Sequence, residues 1–205
     1  KIKGENLKEL NDEIVIAKEK EDVKNEVFLF CPGCGFNNEK QFKFCPKCGT
    51  PLSLWCMSNS LASIMYTDVV GYSKLTGDNQ EIALIILEEH NKILNKFTKI
   101  YKGKIVKLTG DGLCALFDSP LYAIKCAIDI QKALDKRNKL NIIERKIQIR
   151  IGLHYGSFVE RDDDVFGDGV NLAKMIEPIA PHGGIAISSI INDMIWNESD
   201  IYTRE

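Results

Sequence analysis

Two aspartates stand where a chain places ligands for a hard metal ion. In Tyr66-Thr67-Asp68-Val69-Val70-Gly71-Tyr72-Ser73, Asp68 falls where a short apolar strand gives way to a glycine-bearing loop. Loops of this kind expose backbone N–H groups that can cradle phosphate oxygens, here around Val69, Gly71, Tyr72 and Ser73. Asp111 sits at the tip of Thr109-Gly110-Asp111-Gly112, between two strand-like runs. A pair of oxygen ligands completed by substrate phosphates is the usual way of holding Mg²⁺. Taken singly, an aspartate at a strand end is more often a turn or cap residue. The metal reading therefore depends on a topology that brings the two together.

The second chemical signal is a doubled cysteine motif. Cys31-Pro32-Gly33-Cys34-Gly35 and Cys45-Pro46-Lys47-Cys48-Gly49 repeat one pattern, spaced Cys31-x2-Cys34-x10-Cys45-x2-Cys48. Two tight turns that bring four thiolates together suit tetrahedral Zn²⁺, and four protein ligands leave no open catalytic position. A segment this short cannot bury enough surface to fold alone, so the metal supplies the folding free energy. One motif would suffice for a redox pair; the doubling predicts a structural zinc ribbon. Cys56, Cys114 and Cys126 are read as unligated, the last two as small core residues. An odd total of 7 cysteines clustered this way points to a reducing, cytoplasmic setting rather than a disulfide framework.

These groups need elements to hold them. Residues 1–27 are strongly charged, and Leu7, Leu10, Ile14 and Ala17 fall on one helical stripe, which predicts a short solvated helix or linker. Residues 28–52 form the cysteine zone, and residues 60–205 alternate strands with helices. Leu61–Thr67 reads as a buried strand. Asn79–Tyr101 reads as a helix facing inward through Ile82, Ile85, Ile86, Ile93, Phe97 and Ile100. Lys104–Leu108 and Leu113–Phe117 read as a hairpin turning at the Asp111-Gly112 pair. Pro120–Lys136 reads as a helix with Ala123, Ala127, Ile130 and Leu134 inside. A strand at Ile147–His154 ends before Gly156; a helix at Asn171–Ile179 and a strand at Ile185–Ser188 complete the series. The order is that of an α+β, ferredoxin-like βαββαβ sandwich, which places the first strand beside the hairpin and lets Asp68 and Asp111 converge.

Bulk composition narrows the partners. A net charge of −2 offers no basic face for nucleic acid or an anionic membrane. The longest apolar run, Ile82–Leu87, is far short of the roughly 18 to 20 residues of a membrane span. The chain starts at Lys1, without a signal-peptide pattern, and is expected to be a piece of a longer protein.

Four motifs resemble class III adenylyl/guanylyl cyclases: Asp68-Val-Val-Gly-Tyr-Ser-Lys-Leu75, Lys107-Leu-Thr-Gly-Asp111-Gly, Arg150-Ile-Gly-Leu-His154 and Phe166-Gly-Asp-Gly-Val-Asn171-Leu-Ala173. Ile176-Glu-Pro-Ile-Ala180 and Gly183-Gly-Ile-Ala-Ile-Ser188 resemble the bacterial branch. The likeness covers about residues 60–196. It implies a head-to-tail homodimer with active sites at the interface. Asp68, Val69 and Asp111 of one subunit would hold two Mg²⁺ or Mn²⁺ ions, and its Val69–Ser73 loop and Arg150 would meet the triphosphate. The second subunit would present Lys107 and Asp164 to the base, and Asn171 to the ribose. Lysine can donate to a ring nitrogen of adenine while aspartate accepts from its amine; guanine offers a carbonyl oxygen there, which aspartate repels. The implied reaction is ATP to 3′,5′-cyclic AMP and pyrophosphate, in a signalling role.

Blander readings exist for the same residues. Lys107 is by type a solvated strand lysine. Arg150 could form a weak surface pair with one of Asp162 to Asp164, and that triplet could be simply an acidic loop. His154 reads as a satisfied core histidine outside the site. The sequence also departs from the family: where an arginine is expected four residues after Asn171, Met175 stands, and methionine cannot stabilise phosphoryl-transfer charge. Neighbouring Lys174 is a candidate substitute, although one helical residue is a rotation of about 100°, which predicts that it points elsewhere. A degenerate domain that binds nucleotide or a partner without turnover is the alternative. The G-G-[DE]-E-F signature of diguanylate cyclases is absent. The domain is also expected to be cut short or abbreviated at Glu205.

Overall fold

The computed structural model describes residues 14–17, 28–31, 34–39, 42, 44–50, 60–142 and 145–204. Its centre is strand β4 (Ser60–Val69), flanked by β6 (Leu113–Phe117) and β7 (Ile149–Arg161), both antiparallel to it. Beyond β6 lies β5 (Lys104–Leu108); beyond β7 come β9 (Ile185–Ser188) and then β1 (Ile14–Ala17), both in parallel pairing. The sheet order is β1-β9-β7-β4-β6-β5, and a short β8 (Asp164–Phe166) folds back on the far end of β7. Away from this sheet, β2 (Phe28–Phe30) and β3 (Asn37–Glu39) form a small hairpin in the cysteine zone.

β4 is buried on both faces because its side chains alternate between two cores. Met65 joins the cluster of Ile86, Leu94, Phe117, Ile124 and Ile130 beneath α2 (Gln80–Ile100) and α3 (Pro120–Asn138). Ile64 and Tyr66 join Cys114, Val165, Val170 and Ala173 on the opposite face, covered by the β7–β8 hairpin and α4 (Asp168–Ile176). Short helices α1 (Tyr72–Asp78) and α5 (Ser189–Ile195) and a 3-10 turn at Glu177–Ile179 complete the chain. The α+β expectation holds, as does the order of elements from β4 to β9.

Several local expectations do not. Ile14–Ala17 is a strand rather than part of a helix: the β-branched run Ile14-Val15-Ile16 pairs in parallel with Ile185–Ser188. Leu7, Leu10 and Cys56 lie outside the described residues. α2 starts where expected, Asn79 Oδ1 accepting the Ile82 N–H at 3.0 Å. Its inner face, however, is centred on Ala83, Ile86, His90, Leu94 and Thr98, while Ile85 and Ile100 are exposed. β7 runs through Gly156 to Arg161 instead of stopping at His154. Gly156 stays in the strand because α4 crosses it closely: a Cβ there would lie 3.0 Å from Gly169 Cα and 2.7 Å from His154 Nε2. Cys114 and Cys126 are fully buried core residues, as expected.

Candidate active site and cysteine cluster

The Asp68 end of β4 is drawn together by its neighbours. Leu113 N–H donates to Thr67 Oγ1 at 3.0 Å, and Thr109 N–H closes the hairpin on Gly112 O at 2.9 Å. Gly112 is required there, since a Cβ would stand 2.0 Å from the Thr67 carbonyl oxygen. That contact seats the β5–β6 turn, and Asp111 with it, against the strand that carries Asp68. Burial raises the Asp111 carboxyl above its ordinary range, and the Asp68 charge adds to the rise.

Arg150 is the cross-strand partner of Asp68 on β7. Its Nη2 donates to Asp68 Oδ2 at 2.5 Å, and its Nε lies 2.8 Å from Glu177 Oε1, close enough for an ion pair though outside hydrogen-bond geometry. The pairing with Asp162 to Asp164 therefore does not occur. Glu177 is a residue that sequence reasoning passed over. It is buried, and burial raises its pKa while Arg150 opposes the rise. Its signal was an acid inside the otherwise apolar run Ile176–Ala180. In the loop after Asp68, Val70 N–H is committed to Gln148 O at 2.9 Å. Gly71, Tyr72 and Ser73 open α1, where first-turn N–H groups have no partner inside the helix.

A second cluster forms around Lys107. β5 pairs with β6 through a register shift between Ile105 and Lys107. Ile105 packs into the core under α2 and Val106 into the opposite one, so regular alternation would return Lys107 to the first face. The bulge keeps it on the second, where its Nζ donates to both Asp164 oxygens at 2.7 Å. Asp162 and Asp163 are not a loose acidic loop: both adopt positive φ, 53° and 61°, as the two-residue turn between β7 and β8 requires. That turn delivers Asp164 to Lys107. Although burial pulls its carboxyl upward, Lys107 and the Val165 N–H hold it below the ordinary range.

Lys107 and Asp164 line a cleft of about 500 Å³ with Tyr66, Asn171 and Lys174, within the size range of small-molecule sites. Neither Asp68 nor Asp111 lines it. The structure thus brings the predicted residues together as two groups on one chain. Lys174 corrects the rotation argument: it shares the cleft with Asn171, three residues back, which on a helix is the same face. Met175 is 68% exposed and is not among the cleft residues. His154 is buried but not satisfied, its Nδ1 having no partner, and burial lowers its pKa.

The cysteine expectation can be tested on distances. The four sulfurs of Cys31, Cys34, Cys45 and Cys48 lie within 4.8 Å of one another. Cys31–Cys48 and Cys34–Cys45 are 3.3 and 3.7 Å apart, near the roughly 3.8 Å edge of a tetrahedral Zn–thiolate site. The donor set fits a metal ion. Thr50 Oγ1, 3.1 Å from Cys48 Sγ, pulls that thiol down to about 6, whereas burial pushes the Cys34 thiol up to about 12. Asp68 near the end of β4 and Asp111 on the adjoining β5–β6 turn likewise fit Mg²⁺ or Mn²⁺ by donor type.

Residues 57–204 match the adenylate and guanylate cyclase catalytic domain family, and the chain belongs to it. The chain is 36% identical over 142 residues to putative adenylate cyclase 3 of Rhizobium meliloti (strain 1021), covering 69% of this chain and 24% of that protein. It is 26% identical over 144 residues to an adenylate cyclase of Streptomyces coelicolor, covering 70% and 35%. It thus spans about a quarter to a third of the length of these relatives. Among solved structures, an adenylate/guanylate cyclase/hydrolase from Silicibacter pomeroyi superposes with a TM-score of 0.64 at 34% identity, over 68% of this chain and 82% of that one. Among the described residues no helix is long and apolar enough to cross a membrane.

Proposed function

We propose that the chain is an adenylyl cyclase module that converts ATP to 3′,5′-cyclic AMP and pyrophosphate as a head-to-tail homodimer. Choosing adenine over guanine rests on one observation: Lys107 and Asp164 meet as a donor and an acceptor at a cleft shared with Asn171. A base entering between them takes the lysine ammonium on a ring nitrogen and offers its amine to the carboxylate. Guanine would turn a carbonyl oxygen toward Asp164.

The dimer reading follows from the separation of the two groups. Asp68 and Asp111 lie outside the Lys107–Asp164 cleft, so one chain's cleft needs the carboxylate end of a second copy. Phe166, Met175 and Ile179 are exposed apolar side chains of β8, α4 and the following turn, suited to such a contact. In the assembled site the ribose 3′ oxygen attacks the α-phosphorus, the bond to the β-phosphate oxygen breaks, and pyrophosphate leaves as the hydroxyl loses its proton. Two Mg²⁺ or Mn²⁺ ions held by Asp68, Val69 and Asp111 supply Lewis-acid neutralisation of phosphate charge. Gly71, Tyr72 and Ser73 donate backbone N–H groups to phosphate, Arg150 exchanges Asp68 for phosphate oxygens, Asn171 orients the ribose and Lys174 faces the transferring group. The cysteine cluster holds a structural Zn²⁺. Domain limits of 28–52 for the ribbon and 60–205 for the cyclase unit, and a cytoplasmic signalling role, complete the reading.

Met175 favours a second reading, a domain that binds nucleotide and regulates without turnover, because it places an exposed thioether at the arginine position. Incubation of the chain with ATP or GTP and Mn²⁺, with cyclic nucleotide and pyrophosphate quantified, separates the two. Product from ATP above an Asp68→Ala control supports turnover. Nucleotide binding with no product above that control sinks it and leaves the second reading.

A further inference from the structure

Cys31 and Gly35, on the cysteine knuckle, line the same cleft as Lys107, Asp164, Asn171 and Lys174. We propose that the knuckle is an intrachain cover for this cleft, which nucleotide and the second subunit must displace; the idea rests on the nucleotide reading of the cleft given above.

Charge holds the knuckle where it lies. Four thiolates around one divalent ion carry net negative charge, and the cleft that Cys31 lines holds the cations Lys107, Arg161 and Lys174, the first two paired with the carboxylates of Asp164 and Asp162. Lys174 has no ion-pair partner of its own among the described residues. A loaded cluster thus offers Lys174 what a nucleotide's phosphates would, at a position a nucleotide would have to enter. On the knuckle, Cys31 N–H donates to Phe36 O and Gly35 N–H to Cys31 O, each at 2.8 Å. Without the metal the short hairpin has little else to hold that shape.

The cover is also built to come away. β2 and β3 pack on each other, and among the described residues neither has more than slight contact with any element of the large sheet. Strands with so few contacts to the large sheet part from it at low free energy. Charge attraction and a thin contact together describe a lid that competes with ligand rather than a fixed wall. Affinity for nucleotide is then reduced by the fraction of molecules that are open.

The test uses the full chain loaded with Zn²⁺ and a Cys34→Ser/Cys48→Ser variant, both ligands exposed and away from the cleft. Binding of a fluorescent ATP analogue with Mn²⁺ is titrated, and amide hydrogen exchange is read in residues 159–167 at the β7–β8 hairpin, with β4 and β6 as the folding control. The cover predicts affinity tighter by about threefold or more in the variant and lost protection at the hairpin. Unchanged hairpin exchange overturns the cover whatever the nucleotide does, as does weaker binding in a variant whose β4 and β6 remain protected. A hairpin that loses protection while neither protein binds the analogue supports the contact and instead sinks the nucleotide reading.

Discussion

Acidification should destabilise this fold through His90, and by an amount that its surroundings set. The ring is completely buried in α2; Nδ1 is 3.1 Å from Asn91 Oδ1, and Nε2 has no partner. Adding a proton would bury a charged N–H at Nε2 without an acceptor, so burial lowers the pKa from 6.5 to about 4, against smaller opposing pulls from the Asn91 hydrogen bond and then the Asp68 charge. The unfolded chain takes up the proton near 6.5 while the native one stays neutral to about 4. Stability is therefore whole above 6.5 and falls with decreasing pH until the native ring also titrates. At 1.36 kcal/mol per pKa unit the full loss is about 3 kcal/mol, of which about 2 kcal/mol is spent between roughly pH 7 and pH 5. For a protein of this size that is a fall of about 4–8 °C in Tm. Other groups titrate over the same range, so the assay compares wild type with His90→Gln, which is neutral throughout. Urea unfolding at both pH values should show the wild type losing about 2 kcal/mol more than the variant. Equal losses in the two proteins would refute the assignment of this acid sensitivity to His90.

Two further substitutions probe the groups of the site. Arg150→Met leaves Asp68 and Glu177 facing each other without their shared cation; because Arg150 and Asp68 keep 26% and 32% exposure, the loss is discounted to about 2 kcal/mol in denaturant unfolding. Asp164→Asn removes the acceptor proposed to repel the guanine carbonyl, and on that proposal the ATP-to-GTP ratio of kcat/KM should fall on the order of tenfold. An unchanged ratio would take base reading away from Asp164.

Much of this was legible because local pattern and long-range pairing agreed. The Asp111-Gly112 turn, the apolar strand before Asp68 and the alanine-rich inner face of α3 each satisfied a local rule that the sheet also needs. Misreadings came where tertiary contact overrode period. Ile14 and Ala17 fit a helical stripe, yet their partners at Ile185 and Ser188 are remote in sequence, and only that pairing makes the segment a strand. Gly156 looked like a stop and is instead the clearance for α4. Lys107 was placed with Asp164 only through the family resemblance, since the bulge that turns it there leaves no mark in a hydrophobicity pattern. Glu177 was passed over because its role depends on Arg150, which meets it only after β7 and the 3-10 turn are packed.

Whether this cyclase domain turns over depends on the order Lys174-Met175, and the helix geometry makes that order testable. From Asn171, a residue three places on is rotated about −60° and one four places on about +40°, so either can share its face. In this chain it is Lys174 that enters the cleft, while Met175 is left exposed. An ammonium is a compact charge without the bidentate fork of arginine, so it can neutralise developing phosphate charge but aims less specifically. Arginine fingers contribute about 10³- to 10⁵-fold in phosphoryl transfer; for the weaker lysine, Lys174→Ala should lower kcat on the order of a hundredfold with little change in KM, the mark of a contact made only in the transition state. Met175→Arg in the same background should restore most of the loss. A Lys174→Ala protein with unaltered kcat would show that the chain manages without a cation on α4; one that raises KM alone would make Lys174 a ground-state phosphate contact.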